Sequence, residues 1–461
     1  MKANYQKVGD TIHKKQHSLL NRASEASNML KEHIENDEII RIISHNDADG
    51  ISAAAVIANA LKEENAQFHT TIVPRLKDDV INQLRHEQHD LFIFSDMGSA
   101  FIKELNTFKS DVIVADHHQV DGTESESNLV HVNPHLFDID GSKDLSGAGS
   151  AYLTVRDLDK KHLAYFALIG AFGDMQGQNG FSGVNKFILD DAKESNLEIR
   201  EDLKIVSKSS EPLFKSLAYT FSPPLPGLSG DLEASTAFLE KIGLSYGIKF
   251  SDLADEEKDV LTAELIKINP DIFGDCYVIP KEVPMLKDLE EYAYILDACG
   301  KNKKFGLGLS IAIGERDKAL ETATELQRKY RNQIVKGLEW IKREGPVQLN
   351  SSQYLYSEDK LLKTVMGTIA SIGLSIESID SSKPVLGLSR LHKDIKISGR
   401  TTRDMVEKGV DLGKALRDVS NNFGGQGGGH DIAAGAMIPF ESKDEFLHLF
   451  DEMIESQLSN D

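Results

Sequence analysis

Cysteine is nearly missing from this chain: among 461 residues only Cys276 and Cys299 occur, with no CxxC pattern around either. That excludes a disulfide framework and a thiolate zinc site, and leaves two reduced, packed thiols. Positive charge is also short, with 52 Lys and Arg against 73 Asp and Glu and a formal net charge of −21. Such a balance argues against a protein that coats nucleic acid by bulk electrostatics, while leaving room for an enzyme that grips a few phosphates. Long apolar runs are absent, so no membrane span is expected and the expected location is cytoplasmic. The N-terminal 1–37 lacks the apolar block and small-residue cleavage site of a signal peptide. Val8, Ile12, Leu19, Ala23, Ala26, Leu30 and Ile34 recur at helical intervals and predict an amphipathic helix instead. No internal repeat or low-complexity tract is present.

The length exceeds one ordinary core and predicts two or three domains. From 38 to 196 the pattern alternates, with strands at 39–44, 68–73, 91–95, 112–115 and 130–133 and helices at 52–63, 77–85, 100–107 and 148–155. This is the pattern of an α/β domain with a parallel, doubly wound sheet. A segment at 162–172, apolar almost all round, predicts a buried helix ending at Gly173-Asp174. From 197 to 285, helical stretches at 231–242 and 256–269 are interrupted by Pro223-Pro224-Leu225-Pro226-Gly227 and Pro270, which reads as a mostly helical insertion. A connector and a long helix near 316–343 fill 286–344. A smaller α/β domain takes 345–461, with strands at 353–356, 385–390, 395–401 and 433–439 and helices at 361–372, 412–422 and 443–458.

Chemistry collects where the first set of strands stops. The run Ile39-Ile40-Arg41-Ile42-Ile43-Ser44 gives way to His45, Asp47 and Asp49; Phe92-Ile93-Phe94-Ser95 leads to Asp96; Val112-Ile113-Val114-Ala115 leads to Asp116-His117-His118; and Asp174 follows the buried helix. Any one of these has a plain alternative as a helix cap or turn residue. Together they converge on the carboxyl edge of one sheet, where ligands of open α/β sheets bind. Carboxylate and imidazole without thiolate suit Mn²⁺, or Mg²⁺ where oxygen donors dominate. Five or more donors exceed what one open catalytic ion needs, so a pair of divalent ions is expected, and with it phosphoester hydrolysis.

In order and spacing, His45-Asn46-Asp47-Ala48-Asp49-Gly50, Asp96, Asp116-His117-His118 and Asp174 resemble the four motifs of the DHH phosphoesterase superfamily. Gly424-Gly425-Gln426-Gly427-Gly428-Gly429-His430 is similar to the glycine-rich His motif of the DHH-associated C-terminal domain, which holds substrate in RecJ-like nucleases. The resemblance implies that Asp47 and Asp96, with His45, hold one metal. It implies that Asp49, Asp96, His117 and Asp174 hold the second, with Asp96 bridging, that His118 faces the scissile phosphate, and that Asp116 orients an imidazole. In the C-terminal domain, Gly427, Gly428, Gly429 and His430 would form a phosphate-binding loop, with Ser398, Arg400 and Arg403 supplying hydroxyl and guanidinium contacts. Between 390 and 417, eight Lys and Arg face four Asp and Glu, a local positive surplus suited to a nucleic-acid track. Tyr292-Ala293-Tyr294-Ile295-Leu296-Asp297-Ala298-Cys299-Gly300-Lys301 looks like the connector of archaeal RecJ-like proteins, in which Tyr, Leu and Cys are equally core residues.

The expected activity is a metal-dependent exonuclease acting on single-stranded DNA or RNA in replication or repair. Because 31 residues follow His430, the architecture resembles the shorter archaeal RecJ-like type, which associates with the GINS replication complex and makes GINS an expected partner. Two alternatives stand beside it: a phosphodiesterase for short oligonucleotides or cyclic dinucleotides, and a replisome scaffold of weak or no activity. A DHH-type pyrophosphatase is disfavoured, because its C-terminal domain lacks the glycine-rich His motif.

Overall fold

The computed structural model describes residues 2–121, 128–358, 364–376 and 378–459, with side chains from Lys14 onward. The chain divides into two compact units, Met1–Asp202 with Gly274–Gln327, and Leu203–Phe273 with Arg328–Asp461.

In the first unit, β1 (Ile40–Ser44), β2 (Phe68–Ile72), β3 (Leu91–Ser95), β4 (Asp111–Ala115) and β5 (Leu129–Val132) form a sheet of order β2-β1-β3-β4-β5 in which every pair is parallel. Both faces are covered, which is why β1 and β3 are buried at every position. Ile42, Ile93 and Ile113 point into one core with the helices Ala48–Glu63, Gly147–Arg156 and Ala164–Gly173. Alternate residues Ile43, Phe92, Phe94, Val112 and Val114 enter a second core that contains Ile81 and Leu84 of Asp78–Leu84 and Ile102 and Leu105 of Ile102–Leu105. Each such aliphatic or phenyl side chain contributes roughly 1.5–3 kcal/mol by leaving water. Leu19, Ala23, Ala26 and Leu30 of the N-terminal helix Lys2–Glu35 join the first core, whereas the side chains of Val8 and Ile12 lie outside the described residues. The helices Gly183–Ser195, Leu289–Lys301 and Phe305–Ala312 also contribute to it, and Tyr292, Leu296 and Cys299 are fully buried there. The two-stranded sheet β6 (Glu198–Leu203) and β7 (Phe273–Val278) stands where the chain leaves and re-enters this unit.

The helix Lys318–Glu344 carries the chain onward into the second unit. There β8 (Val347–Gln348), β9 (Gln353–Tyr356), β10 (Val385–Leu391), β11 (Asp394–Arg400), β12 (Gln426–Gly429) and β13 (Ala433–Pro439) form a sheet of order β12-β13-β11-β10-β9-β8. It is mixed, with β9 and β10 parallel and the other pairs antiparallel. Leu388, Ile397 and Ile438 meet Leu412, Leu416, Phe446 and Phe450 of the helices Leu412–Asn421 and Lys443–Leu458 in one core. Of the helix expected at 361–372, positions 361–363 lie outside the described residues, and the helix observed is Met366–Ser375. The stretch Leu203–Phe273 has its own core, in which Leu213, Leu217, Leu239, Leu261 and Leu265 come from three short helices. Among the described residues, no helix is long and apolar enough to cross a membrane.

Candidate metal centre

Strand register brings the donors level. Ser44 of β1 pairs with Ser95 of β3, and Ser95 pairs with Ala115 of β4, so His45, Asp96 and Asp116 leave the sheet side by side. The strand order reverses between β1 and β3, and the crevice at such a reversal is where an open α/β sheet receives its ligand. Ser44 Oγ donates to Gly50 O at 2.6 Å and Ser95 Oγ donates to Ser44 Oγ at 2.8 Å, tying the first acidic loop to the neighbouring strand. Asp47 caps the helix Ala48–Glu63 by accepting from Gly50 N at 3.0 Å, and a Cβ on Gly50 would overlap the carbonyl of His45. The glycine is therefore a condition of the turn.

Three groups of donors result, His45 with Asp47 and Asp96, Asp49 with His117 and Asp174, and Asp96 with His117 and His118, so that Asp96 is common to the first and the third. His45 Nδ1 lies 2.8 Å from Asp47 Oδ2 and 3.4 Å from Asp96 Oδ2. His117 Nε2 lies 3.1 Å from Asp174 Oδ2, 3.4 Å from Asp96 Oδ1 and 3.7 Å from Asp49 Oδ2. His118, the third group's remaining member, has Nδ1 3.9 Å from Asp96 Oδ1. Asp96 itself is 2% exposed and has a left-handed backbone, φ 54°, and its buried Oδ1 accepts no well-aligned hydrogen bond. A buried carboxylate oxygen in that condition, facing two imidazoles, is what a cation ligand looks like.

The surrounding bonds set the protons. His117 Nδ1 lies 2.7 Å from Gly141 O, which only its N–H form satisfies, so the Nε2 lone pair is left for the acidic cluster. Asp49, 1% exposed, accepts from Gly147 N at 2.7 Å and Ala148 N at 2.9 Å, the first amides of the helix Gly147–Arg156. Even so, burial and then the neighbouring Asp96 and Asp174 push Asp49 well above the usual carboxylate range. Burial likewise pushes Asp174 up to about 6, against the pull of His117. Burial opposes protonation of His45, yet Asp47 and Asp96 outweigh it and raise the imidazole to about 11. Carboxylates that repel one another while each attracts a nearby proton define a site built for positive charge. Asp116 differs from them: Oδ1 accepts from His117 N, His118 N and His118 Nδ1, and Oδ2 accepts from Ser99 N. It is saturated, and it orients His118 at 2.7 Å.

Several contributors carried no sequence signal of their own. Gly147 and Gly170 matter by omission, since a Cβ on the first would overlap Oδ1 of Asp96 and on the second Oδ1 of Asp49. Gly141 acts through its carbonyl.

The remaining expected residues lie in the second unit. Ser398 of β11 is in register with Gly435 of β13, which pairs with Gly428 of β12; Arg400 pairs with Ala433, whose carbonyl accepts from His430 N at 2.9 Å. Burial lowers the Arg400 pKa, and its Nη1 donates to Gly399 O at 2.7 Å. Arg403 opens the separate short helix Arg403–Glu407. The glycine run expected as a loop is instead an edge strand over Gln426–Gly429. Its packing supplies the reason: a Cβ on Gly425 would overlap Met437 O and one on Gly427 would overlap Leu416 O, so side chains would lift the strand off its neighbours. Gly428 alone within β12 has open space where a Cβ would be.

Three family models match the chain. The DHH family N-terminal domain matches residues 39–171, archaeal Cdc45 matches 175–369, and the DHHA1 domain matches 351–456. The uncharacterized protein MJ0831 of Methanocaldococcus jannaschii is 33% identical over 428 residues, covering 91% of this chain and 94% of that protein. The chain belongs to the DHH superfamily, as a member of its archaeal RecJ-like type. The single-stranded-DNA-specific exonuclease RecJ of Thermus thermophilus is 30% identical over 168 residues, 33% of this chain and 24% of RecJ. Its crystal structure with Mn²⁺ superposes with a TM-score of 0.61 at 17% identity, covering 94% of this chain and 55% of RecJ, so the chain spans about half of that protein. CDC45 from Entamoeba histolytica superposes with a TM-score of 0.68 at 11% identity, covering 97% and 99% of the two chains. At those identities the two structures establish the fold alone. Family membership and the similarity to RecJ together support a phosphoesterase or nuclease.

Proposed function

We propose that the chain is a metal-dependent exonuclease that hydrolyses phosphodiester bonds of single-stranded DNA or RNA with two divalent ions, Mn²⁺ in first place and Mg²⁺ in second. The observation that carries this reading is the sharing of Asp96: one oxygen faces His45 and the other His117, so two neighbouring donor sets have one carboxylate in common. His45, Asp47 and Asp96 would hold one ion, and Asp49, Asp96, His117 and Asp174 the other. Bound there, the pair would supply hydroxide near neutral pH and offset charge at phosphorus. Gly141 O fixes the His117 tautomer so that Nε2 is the nitrogen that faces the ion, the amides of Gly147 and Ala148 fix the direction of the Asp49 carboxylate, and Asp116 aims His118 at the scissile phosphate. In the second unit, His430, Ser398, Arg400, Arg403 and the open side of Gly428 would hold substrate. Similarity to RecJ of Thermus thermophilus, a single-stranded-DNA-specific exonuclease whose crystal structure holds Mn²⁺, supports this reading.

A second reading is favoured by the archaeal Cdc45 match over 175–369: a replisome protein bound to GINS, with hydrolysis subordinate or lost. Oligomers of DNA and of RNA, labelled at either end and incubated with Mn²⁺ or Mg²⁺, separate the readings. Stepwise shortening of long single strands is expected. Products only from two- to five-mers would replace the nuclease with a short-oligonucleotide phosphodiesterase, and no cleavage together with GINS binding would leave the scaffold.

A further inference from the structure

We propose that Asn133 and Ser99 are positioning residues for His118, fixing both its main chain and its ring so that the outward imidazole nitrogen meets the substrate phosphate. This rests on the phosphodiesterase reading above. Asn133 is fully buried where the chain leaves β5. Its Oδ1 accepts from His135 N at 2.8 Å, which settles the orientation of the amide. Nδ2 then faces two acceptors, His118 O at 2.9 Å and Ser99 Oγ at 2.8 Å. A Ser99 hydroxyl that accepts from Asn133 has its own proton to give, and His131 Nε2 lies 2.8 Å away to take it. Burial pushes His131 down to about 4, so its ring is neutral and able to accept. Asn133 Nδ2 and Ser99 Oγ therefore each have an acceptor.

The second half of the clamp is the main chain of Ser99. Its N–H donates to Asp116 Oδ2 at 3.0 Å, and Asp116 Oδ1 takes the ring proton of His118 Nδ1 at 2.7 Å. Asn133 thus holds the carbonyl of His118 while Ser99 holds the carboxylate that holds its imidazole. His118 has the most exposed imidazole of the centre, with 45% of its side chain accessible against 28% for His45 and 5% for His117. With Nδ1 committed to Asp116, the nitrogen left for substrate is Nε2. A residue that merely caps the short helix Pro134–Phe137 needs only the Asn133 oxygen; the two bonds from Nδ2 serve the His118 loop.

The test compares Asn133→Ala, Ser99→Ala, Ser99→Thr and His118→Ala in the metal-loaded protein, on a labelled single strand and on bis(p-nitrophenyl) phosphate. Asn133→Ala should lower kcat about 10- to 100-fold with KM and bound metal little changed, Ser99→Ala should lower it less, and Ser99→Thr should restore it. The double variant Asn133→Ala/His118→Ala should be no slower than His118→Ala alone, because both act through one ring. Protein labelled with ¹⁵N-histidine adds a readout that needs neither metal nor substrate: the slowly exchanging Nδ1 proton of His118 should be visible in the wild type and Ser99→Thr and lost in Asn133→Ala. If Asn133→Ala does not fold, Ser99→Ala decides by the same kinetic and NMR criteria. Losses that multiply in the double variant, or an unchanged Nδ1 proton and kcat, overturn the clamp. Cleavage of bis(p-nitrophenyl) phosphate without cleavage of any strand overturns the nuclease reading and leaves the clamp standing. If neither substrate is cut, the NMR signal decides alone.

Discussion

Gly147 stands against Asp96 so closely that a methyl group in place of its hydrogen would overlap Oδ1 of the shared carboxylate. Gly147→Ala should therefore displace the ligand and leave the helix Gly147–Arg156 able to form, since alanine is the better helix residue. The expected result is a loss of Mn²⁺ affinity of about tenfold or more with circular dichroism unchanged, measured by calorimetric titration. Gly170→Ala, which crowds Asp49 and Ala148 instead, should weaken binding in the same direction.

Asp96 and Asp174 differ in how many donor groups they serve, two against one. Asp96→Asn should lower hydrolysis about a thousandfold or more and reduce bound metal below that of Asp174→Asn, as read by elemental analysis after dialysis. His117→Ala should be as inactive as Asp96→Asn. In chelator, Asp174→Asn should melt slightly above the wild type, because it removes a carboxylate that burial and its neighbours hold at about 6.

His131 sets a pH dependence that belongs to folding. Its pKa is depressed from 6.5 to about 4 by burial, so between those values the unfolded chain binds a proton that the folded chain refuses. Stability contributed by the neutral ring is present above pH 6.5 and is lost as pH falls toward 4, about 3 kcal/mol across the window. Urea unfolding at stepped pH should show this slope, and His131→Asn should flatten it.

The glycine run separates packing from recognition within three residues. Gly427→Ala would drive a methyl into Leu416 O and should destabilise the second unit by about 2 kcal/mol or more. Gly428→Ala meets open space, with φ 154° as its only strain, and should lower melting by less while weakening binding of a fluorescent single strand. Equal melting losses and equal affinities would show that both glycines are structural.

The parallel sheet of the first unit was readable because each buried strand is a block of β-branched or aromatic residues that stops at an acid or imidazole, and register then aligns the stops. The helix Ala48–Glu63 begins four residues earlier than its apolar pattern, because Asp47 serves as its cap. Less could be read where chain-distant groups decide. The edge strand Gln426–Gly429 has no strand propensity and exists through its pairing with β13. The polar-rich helix Gly183–Ser195 is held by Val184, Ile188 and Ala192 against residues far away in the chain. Gly141, Gly147 and Gly170 act through a carbonyl or a missing side chain, and a single sequence carries no mark of either.

The left-handed backbone of Asp96 gives its loss an unusual direction. Glycine is the residue most at ease at φ 54°, and Asp96→Gly would at once relieve that conformation and remove a carboxylate crowded by Asp49 and Asp174. In the absence of metal, the silenced variant should be no less stable than the parent. Inactivation at this position is then an easy step for the fold, and only the work done at the centre opposes it.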